Sequence, residues 1–151
     1  MQMSSRRAVL AAVLAVCMSG AAVAGSPAPS TGLGQAWPNA IDVSVNPDYH
    51  AYVFVLGGMQ YIQINDLNGN VLGSVGTAGG QFITLPMGRF AQYVSTPQQP
   101  ASANNNATPT ASPAPVYDDG TTVITATPMS DASTQLKAAM CVPSICDAHG
   151  S

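Results

Sequence analysis

Large apolar residues are concentrated in one short stretch of the chain, and this concentration limits what the chain can fold into. From Gly25 onward there are 35 Val, Ile, Leu, Met, Phe, Trp and Tyr residues, and 25 of them lie between Trp37 and Ser95. That number can build the core of one small domain, which excludes a multidomain enzyme. We therefore expect a single small folded core beside polar sequence.

Within residues 37–95 the apolar residues form short runs, which glycine and proline turns separate at intervals of about ten residues. Gly57 and Gly58 offer the positive φ angles of a two-residue hairpin turn. No helical stretch separates the runs, so a parallel α/β architecture is excluded. The pattern predicts a mainly β fold, a small antiparallel meander forming a sandwich or a partly open barrel. The predicted strands are residues 40–45, 49–56, 59–65, 70–76, 81–85 and 90–95.

Polar, core-poor sequence flanks this predicted core. Residues 25–36 are rich in Gly, Pro and Ser and predict a flexible lead-in. Residues 96–115 contain five prolines, no charge and no large apolar residue. Such a segment has no apolar surface to bury, so burial cannot offset the entropy cost of ordering it. We therefore predict a linker or a long loop.

The C-terminal segment, residues 116–151, shows a different pattern. Residues 121–127 are strongly β-prone and predict a strand that completes the sheet. A short C-terminal helix is predicted over residues 131–140, because Ser130 or Asp131 can cap its free N–H groups.

The first 24 residues have the pattern of a secretory signal peptide. Arg6 and Arg7 precede an uncharged apolar run, and Ala22-Val23-Ala24 is a small-x-small cleavage site. The run is shorter than the roughly 20 residues of a membrane-spanning helix. We expect a periplasmic or secreted protein with no membrane span after cleavage.

Two variants of this export signal stay open. The paired arginines also resemble a twin-arginine signal, as an alternative to the general export route. Leu14-Ala15-Val16-Cys17 resembles a lipobox, in which Cys17 becomes the acylated N-terminus. Val16 departs from the small residue that this motif expects before the cysteine. A lipoprotein is therefore less favoured than a cleaved periplasmic or secreted protein.

Charge removes two classes of partner. After cleavage the chain keeps two strong bases, Arg89 and Lys137, against seven aspartates, which gives a formal charge of −5. Two scattered bases cannot neutralise a row of phosphates, so nucleic acid and anionic membrane surfaces are disfavoured. The glycines of residues 73–80 lack the helix that a phosphate-binding loop requires, and no cofactor is expected.

Cys141 and Cys146 are the cysteines that remain after cleavage, and in an oxidising compartment they predict a disulfide. The loop between them is short, so the bond would stabilise the fold by only about 2 kcal/mol. One alternative is a metal site formed by Cys141, Cys146 and His149, with Asp147 as a further ligand. Another is a redox-active pair, although the spacing is wider than Cys-x-x-Cys.

The aromatic residues indicate recognition more than catalysis. Tyr61, Gln63 and Tyr93 form a possible binding surface, since flat aromatic and amide groups suit a glycan or an envelope protein. A weaker alternative is a small hydrolase that uses His50 beside Asp48, but no nucleophile motif accompanies them. The leading prediction is a non-enzymatic envelope binding or structural module, with metal or redox handling by the C-terminal cysteines as the alternative.

Overall fold

The computed structural model describes residues 28–142. Within them the regular structure is β apart from one 3-10 turn, Ala91–Tyr93, which confirms the mainly β prediction. The strands are β1 (Tyr49–Leu56), β2 (Met59–Asp66), β3 (Val71–Ala78), β4 (Gln81–Thr84), β5 (Val94–Ser95), β6 (Ala114–Asp118), β7 (Thr122–Pro128) and β8 (Thr134–Met140). They form two four-stranded sheets, and the described strands close no barrel.

The first sheet is an antiparallel meander with the order β1-β2-β3-β4. Gly57 and Gly58 make the β1–β2 turn at φ angles of 59° and 81°, a conformation that glycine adopts without steric cost. Leu56 is therefore paired directly with Met59, and this register sets the cross-strand neighbours of β1 and β2.

The second sheet has the order β5-β8-β7-β6 and is mixed, because β5 runs parallel to β8. The other neighbours are antiparallel. The β-prone segment at residues 121–127 corresponds to β7, which lies between β8 and β6 in this sheet and is not at the edge of the first.

The predicted C-terminal helix over residues 131–140 is wrong, because the structure places β8 there. Leu136 and Ala138 are buried while Lys137 is exposed, which is the period-2 alternation of a strand. Asp131 does not cap a helix. Its Oδ1 accepts hydrogen bonds from the N–H and the hydroxyl of Ser133, at 3.0 and 2.6 Å, and so stabilises the turn before β8.

The two sheets share one hydrophobic core. Ile62 and Ile64 of β2 and Ile124 and Leu136 of the second sheet are almost fully buried and belong to the same cluster. The core thus extends past residue 95, the predicted end of the core segment, into β6, β7 and β8. Each sheet contributes one face, and the opposite face of each must be covered or left to solvent.

Side-chain amides cover part of the outer face of the first sheet by holding the lead-in segment. Gln63 accepts a hydrogen bond from the Gly34 N–H at 2.6 Å and donates to the Gln35 carbonyl at 2.8 Å. Asn65 donates to the Ala36 carbonyl at 2.8 Å, and Gln63 also donates to Asn65. Because Gln63 and Asn65 are buried, these bonds fix the backbone of residues 34–36 against β2.

The segment after the lead-in connects the two sheets. The Val43 N–H donates to the Ala51 carbonyl on β1, and the Val45 N–H donates to the Val116 carbonyl on β6. The strand predicted at residues 40–45 is reduced to one isolated bridge, Asp42 with Tyr52, and Ile41 is 77% exposed. The N–H groups of Val43 and Val45 bond to two different sheets, so this segment does not form a continuous ladder of hydrogen bonds with either sheet.

The long loop after β5 is attached to its surroundings. Gln98 and Gln99 accept hydrogen bonds through their side-chain carbonyls from the N–H groups of Phe82 and Thr84, which lie at the free edge of β4. The Ser102 N–H donates to the Gln92 carbonyl beside the 3-10 turn at 2.8 Å. These contacts occupy an edge that would otherwise be open to pairing with another chain. None of the helical structure among residues 28–142 is long and apolar enough to cross a membrane.

A shared core predicts that the two sheets unfold together. Leu136→Ala in the second sheet should lower the free energy of unfolding by about 2–5 kcal/mol, because it leaves a cavity in that core. Trp37, the single tryptophan, packs over Gly69 beside the first sheet and reports on that side of the molecule. In urea unfolding, Trp37 fluorescence and far-ultraviolet circular dichroism should show one coincident transition, shifted by the substitution.

Met140→Ala is the matched control on the same strand, because Met140 is 51% exposed and its truncation should cost less than about 1 kcal/mol. A Trp37 transition that Leu136→Ala leaves in place would contradict the single core.

Candidate functional site

The outer face of the second sheet carries an open cleft with a volume of about 400 Å³. Strands β7 and β8 form its floor, where Val123 and Thr127 are buried and Thr125, Gln135 and Lys137 are more accessible. Residues of the 3-10 turn and the long loop complete the lining. The lining residues are Tyr93, Ser95, Ala101, Pro113, Val123, Thr125, Thr127, Gln135, Leu136, Lys137 and Ala139. The volume lies in the range of small-ligand sites.

Strand pairing places the polar residues of the floor in rows across the sheet. Lys137 on β8 has Ser95 on one side and Thr125 on the other, and Gln135 is paired with Thr127 in the next row. Among the described residues no protein hydrogen bond occupies the side chains of Thr125, Thr127, Gln135 or Lys137. The floor therefore offers hydroxyl, amide and ammonium groups that a ligand can use.

Tyr93 forms one wall of the cleft and is held by its neighbours. It ends the 3-10 turn, and its ring stacks on Phe90 with the centroids 6.5 Å apart. Phe90 in turn packs against the shared core. Ala101, another lining residue, is held through the bond from the N–H of its neighbour Ser102 to the Gln92 carbonyl. The aromatic wall thus has a set position before any ligand arrives, which lowers the entropy cost of binding.

The three residues of the predicted binding surface lie in different surroundings. Tyr93 lines the cleft. Tyr61 lies on β2 in the first sheet, where its hydroxyl is 3.6 Å from the Met59 sulfur and its ring lies beside Gly76. Gln63 is fully buried, and its amide is engaged with residues 34–36 and Asn65. Of the three, only Tyr93 is placed to meet a ligand in this cleft.

The cysteine predictions fall at the edge of the described chain. Cys141 follows β8, and its N–H donates to the Thr121 carbonyl at 2.8 Å. Cys146 and His149, like Cys17 and the rest of the export signal, lie outside the described residues. Residues 28–142 contain no group of three or more side chains that could hold a metal ion. The disulfide and its metal and redox alternatives stay predictions.

His50 is paired with Asp42 and not with Asp48. Its Nδ1 lies 2.6 Å from Asp42 Oδ2, and its ring packs against Trp37 and Tyr52. Asp42 Oδ1 accepts the N–H groups of Ser44 and Ala51. No hydroxyl or thiol in the described part of the chain is hydrogen-bonded to His50, so the pair positions the connecting segment and we assign it no reaction.

Partial burial acts to raise the pKa of Asp42, but the hydrogen bonds from His50, Ala51 and Ser44 outweigh it. The pKa of this carboxyl in the folded protein is therefore below its ordinary value of 3.8. The ionised form is the one that holds the connecting segment to β1.

A second groove, of about 500 Å³, lies beside β1. Its lining is aliphatic except for Ser30 and Asn39, and includes Ala28, Pro29, Ala40, Ile41, Val43, Val53 and Val55. It has the larger volume of the two, but it lacks a set of converging polar groups and any charged or aromatic side chain. The cleft on the second sheet is therefore the better candidate for specific recognition.

Sequence reasoning missed Thr125, Thr127, Gln135 and Lys137. The available signal was the short alternation of residues 135–138, where polar and apolar residues follow each other with period 2. Pairing of β5 parallel to β8, which places Ser95 beside Lys137, joins residues distant in sequence and leaves no local signal.

The Asp42 contacts predict a specific pH dependence. Because the folded-state pKa is lowered, the stabilisation is complete above pH 3.8 and disappears as the pH falls through the lowered value. Asp42→Asn should therefore be less stable than the parent by about 1 kcal/mol at pH 6, and the difference should shrink below pH 4. Urea unfolding of the parent and the variant at pH 6 and pH 3 measures this difference in stability.

Asp48→Asn is the control, since this exposed carboxylate accepts no hydrogen bond among the described residues. A difference between Asp42→Asn and the parent that is equal at pH 6 and pH 3 would contradict the assignment.

No protein-family model, no curated protein and no solved structure matches this chain. The chemistry of the cleft is therefore what indicates a function.

Proposed function

We propose that the protein is a non-enzymatic binding module of the cell envelope and that the cleft on the second sheet holds a glycan chain. The observation that carries this proposal is the set of unoccupied hydroxyl and amide groups on the floor, with the fixed ring of Tyr93 at its side. Sugar rings present hydroxyl groups at their rims and apolar patches on their faces, and this cleft offers both kinds of partner.

The shape of the floor favours an extended ligand. Thr127, Thr125 and Val123 point to the same side of β7, so they span about 13 Å along the strand. This length suits a few consecutive sugar rings. The cleft lies on the face of the sheet, and its lining includes residues of three neighbouring strands, β5, β8 and β7.

Thr125, Thr127 and Gln135 each act as donor and acceptor, which matches hydroxyl groups that also do both. Hydrogen bonds of this kind contribute only about 0.5–1.5 kcal/mol each, because water competes for the same groups. Several together give a weak to moderate affinity. An envelope polymer with many repeats compensates for weak single sites by multivalency.

The export signal supports the proposed location. Arg6 and Arg7, the apolar run after them and Ala22-Val23-Ala24 direct the chain to the periplasm or beyond it, where such polymers occur. In this proposal the two sheets pack as a small sandwich, with the outer face of one sheet used for binding. We expect no cofactor and no nucleic acid in the complex.

The proposal predicts that Tyr93→Ala and Thr125→Val each weaken glycan binding about five- to tenfold, from the loss of the aromatic wall or of one hydroxyl group. The purified protein would first be screened against an array of neutral and acidic oligosaccharides. A binder from the array would then be titrated calorimetrically into the parent and the variants.

Tyr61→Ala is the matched control, because it removes a tyrosine of the other sheet that lies outside the cleft. Failure of every saccharide to bind the parent, or equal weakening by Tyr61→Ala, would contradict the proposed function.

A further inference from the structure

Lys137 lies in the middle of the cleft floor and is its only charged lining residue. Strand pairing places it between Ser95 on β5 and Thr125 on β7. The Ser95 hydroxyl is 3.4 Å from the Leu136 carbonyl and is turned to the backbone. Lys137 is exposed, and it is a pure hydrogen-bond donor with a full positive charge.

No carboxylate of the described residues forms an ion pair with Lys137, since the one such pair there joins His50 to Asp42. None of the six aspartates between residues 28 and 142 lines the cleft. The acidic residue closest to the cleft by register is Asp118 of β6, which is paired with Val123 of β7. The Asp118 Oδ1 accepts the Gly120 N–H at 2.9 Å. The cleft thus carries one unmatched positive charge.

Arg89, the other strong base of the described residues, lies in different surroundings. Arg89 lies over the ring of Phe90, 5.7 Å from its centroid, and its charge acts on Asp66. It is not among the residues that line the cleft. Lys137 is therefore the one strong base of the described chain that faces a ligand in this cleft.

The charge of the whole molecule limits how many anionic groups a ligand can carry. Two bases and six aspartates give residues 28–142 a formal charge of −4. A polymer with a negative charge on every unit would be repelled over distances up to about 10 Å at moderate ionic strength. A single carboxylate beside Lys137, with neutral units around it, gains the local attraction and avoids that repulsion.

From this distribution we infer that the cleft recognises an oligosaccharide in which one uronic-acid unit stands among neutral sugars. Lys137 binds the carboxylate, while Thr125, Thr127 and Gln135 bind hydroxyl groups of the neighbouring units. This inference rests on the proposed glycan-binding function and adds the feature that selects the ligand. Charge-assisted hydrogen bonds are the stronger ones, so the acidic unit sets the register of the chain in the cleft.

The test uses three probes that differ at one carbon: a neutral glucose trisaccharide, the same trisaccharide with one C6 hydroxymethyl oxidised to carboxylate, and the methyl ester of that acid. Each is titrated into the purified protein at low and high salt. The acid should bind about three- to tenfold more tightly than the neutral sugar and the ester, and the preference should decrease with salt.

Three variants identify the group responsible. Lys137→Met should abolish the preference for the acid, and Lys137→Arg should retain it, because the charge is kept. Arg89→Met removes the same charge elsewhere and should leave the preference in place, which controls for the net charge of the protein. The melting temperatures of all variants show whether each one is folded.

Equal binding of acid, ester and neutral sugar by the parent would overturn this inference and leave the proposed glycan binding intact. A preference for the acid that survives in Lys137→Met or is lost in Arg89→Met would overturn it as well. Absence of binding by all three trisaccharides, together with a negative oligosaccharide array, would overturn the proposed function itself.

Discussion

The burial of Ile62 and Ile64 against Ile124 and Leu136 is the contact on which the other features of the molecule depend. An apolar sheet face must be buried against another element, and here each sheet uses one face to cover the other. This leaves two outer faces. The lead-in segment covers part of the outer face of the first sheet, whereas the outer face of the second sheet is the floor of an open cleft. The location of the candidate site follows from this asymmetry.

Covering the first sheet requires burial of polar groups, and the chain satisfies them in pairs. Gln63 and Asn65 bond to each other and to the backbone of residues 34–36, so both the amides and the chain they hold have partners. A buried polar network lowers the stability of the fold when some of its groups lack partners. When every group has a partner, the network favours one arrangement of the chain. It converts a lead-in that is rich in glycine and proline into part of the fold.

The sequence predicts the local features of this fold well. β1 has the predicted limits, and β2 begins at the predicted residue, Met59, because Gly57 and Gly58 define the turn between them. The prediction fails where distant residues decide the outcome. The spacing of Leu136, Ala139 and Met140 is compatible with one helical stripe, but pairing with β7 turns Leu136 and Ala138 inward. Tertiary pairing overrode local propensity.

The candidate site shows the same division. Tyr93 could be chosen from its residue type, since exposed aromatic residues often mark recognition surfaces. Gln63 has equally suitable chemistry but is buried, and its partners Gly34 and Gln35 lie about 30 residues away in the chain. Lys137 looks like an ordinary solvated base in the sequence. Its significance depends on β5 and β7 flanking β8, which no local pattern reveals.

Electrostatics and packing act on different parts of this molecule. The core and the amide network contain no charged side chain, and most of the aspartates serve turns, as Asp66, Asp119 and Asp131 do by accepting backbone N–H groups. Charge is thus largely used to hold loops, whereas Lys137 lines the cleft. This separation lets the cleft change its ligand preference without disturbing the core.

Mapping the bound ligand onto the backbone tests whether the outer face of the second sheet is the binding face. The measurement is a titration of isotope-labelled protein with the carboxylate-bearing trisaccharide, followed by amide chemical shifts in two-dimensional NMR. If the ligand binds in the cleft, the shifts cluster at residues 93–95, 123–127 and 135–139. Shifts that cluster instead at β1 and residues 40–43, beside the aliphatic groove, would contradict binding in the cleft.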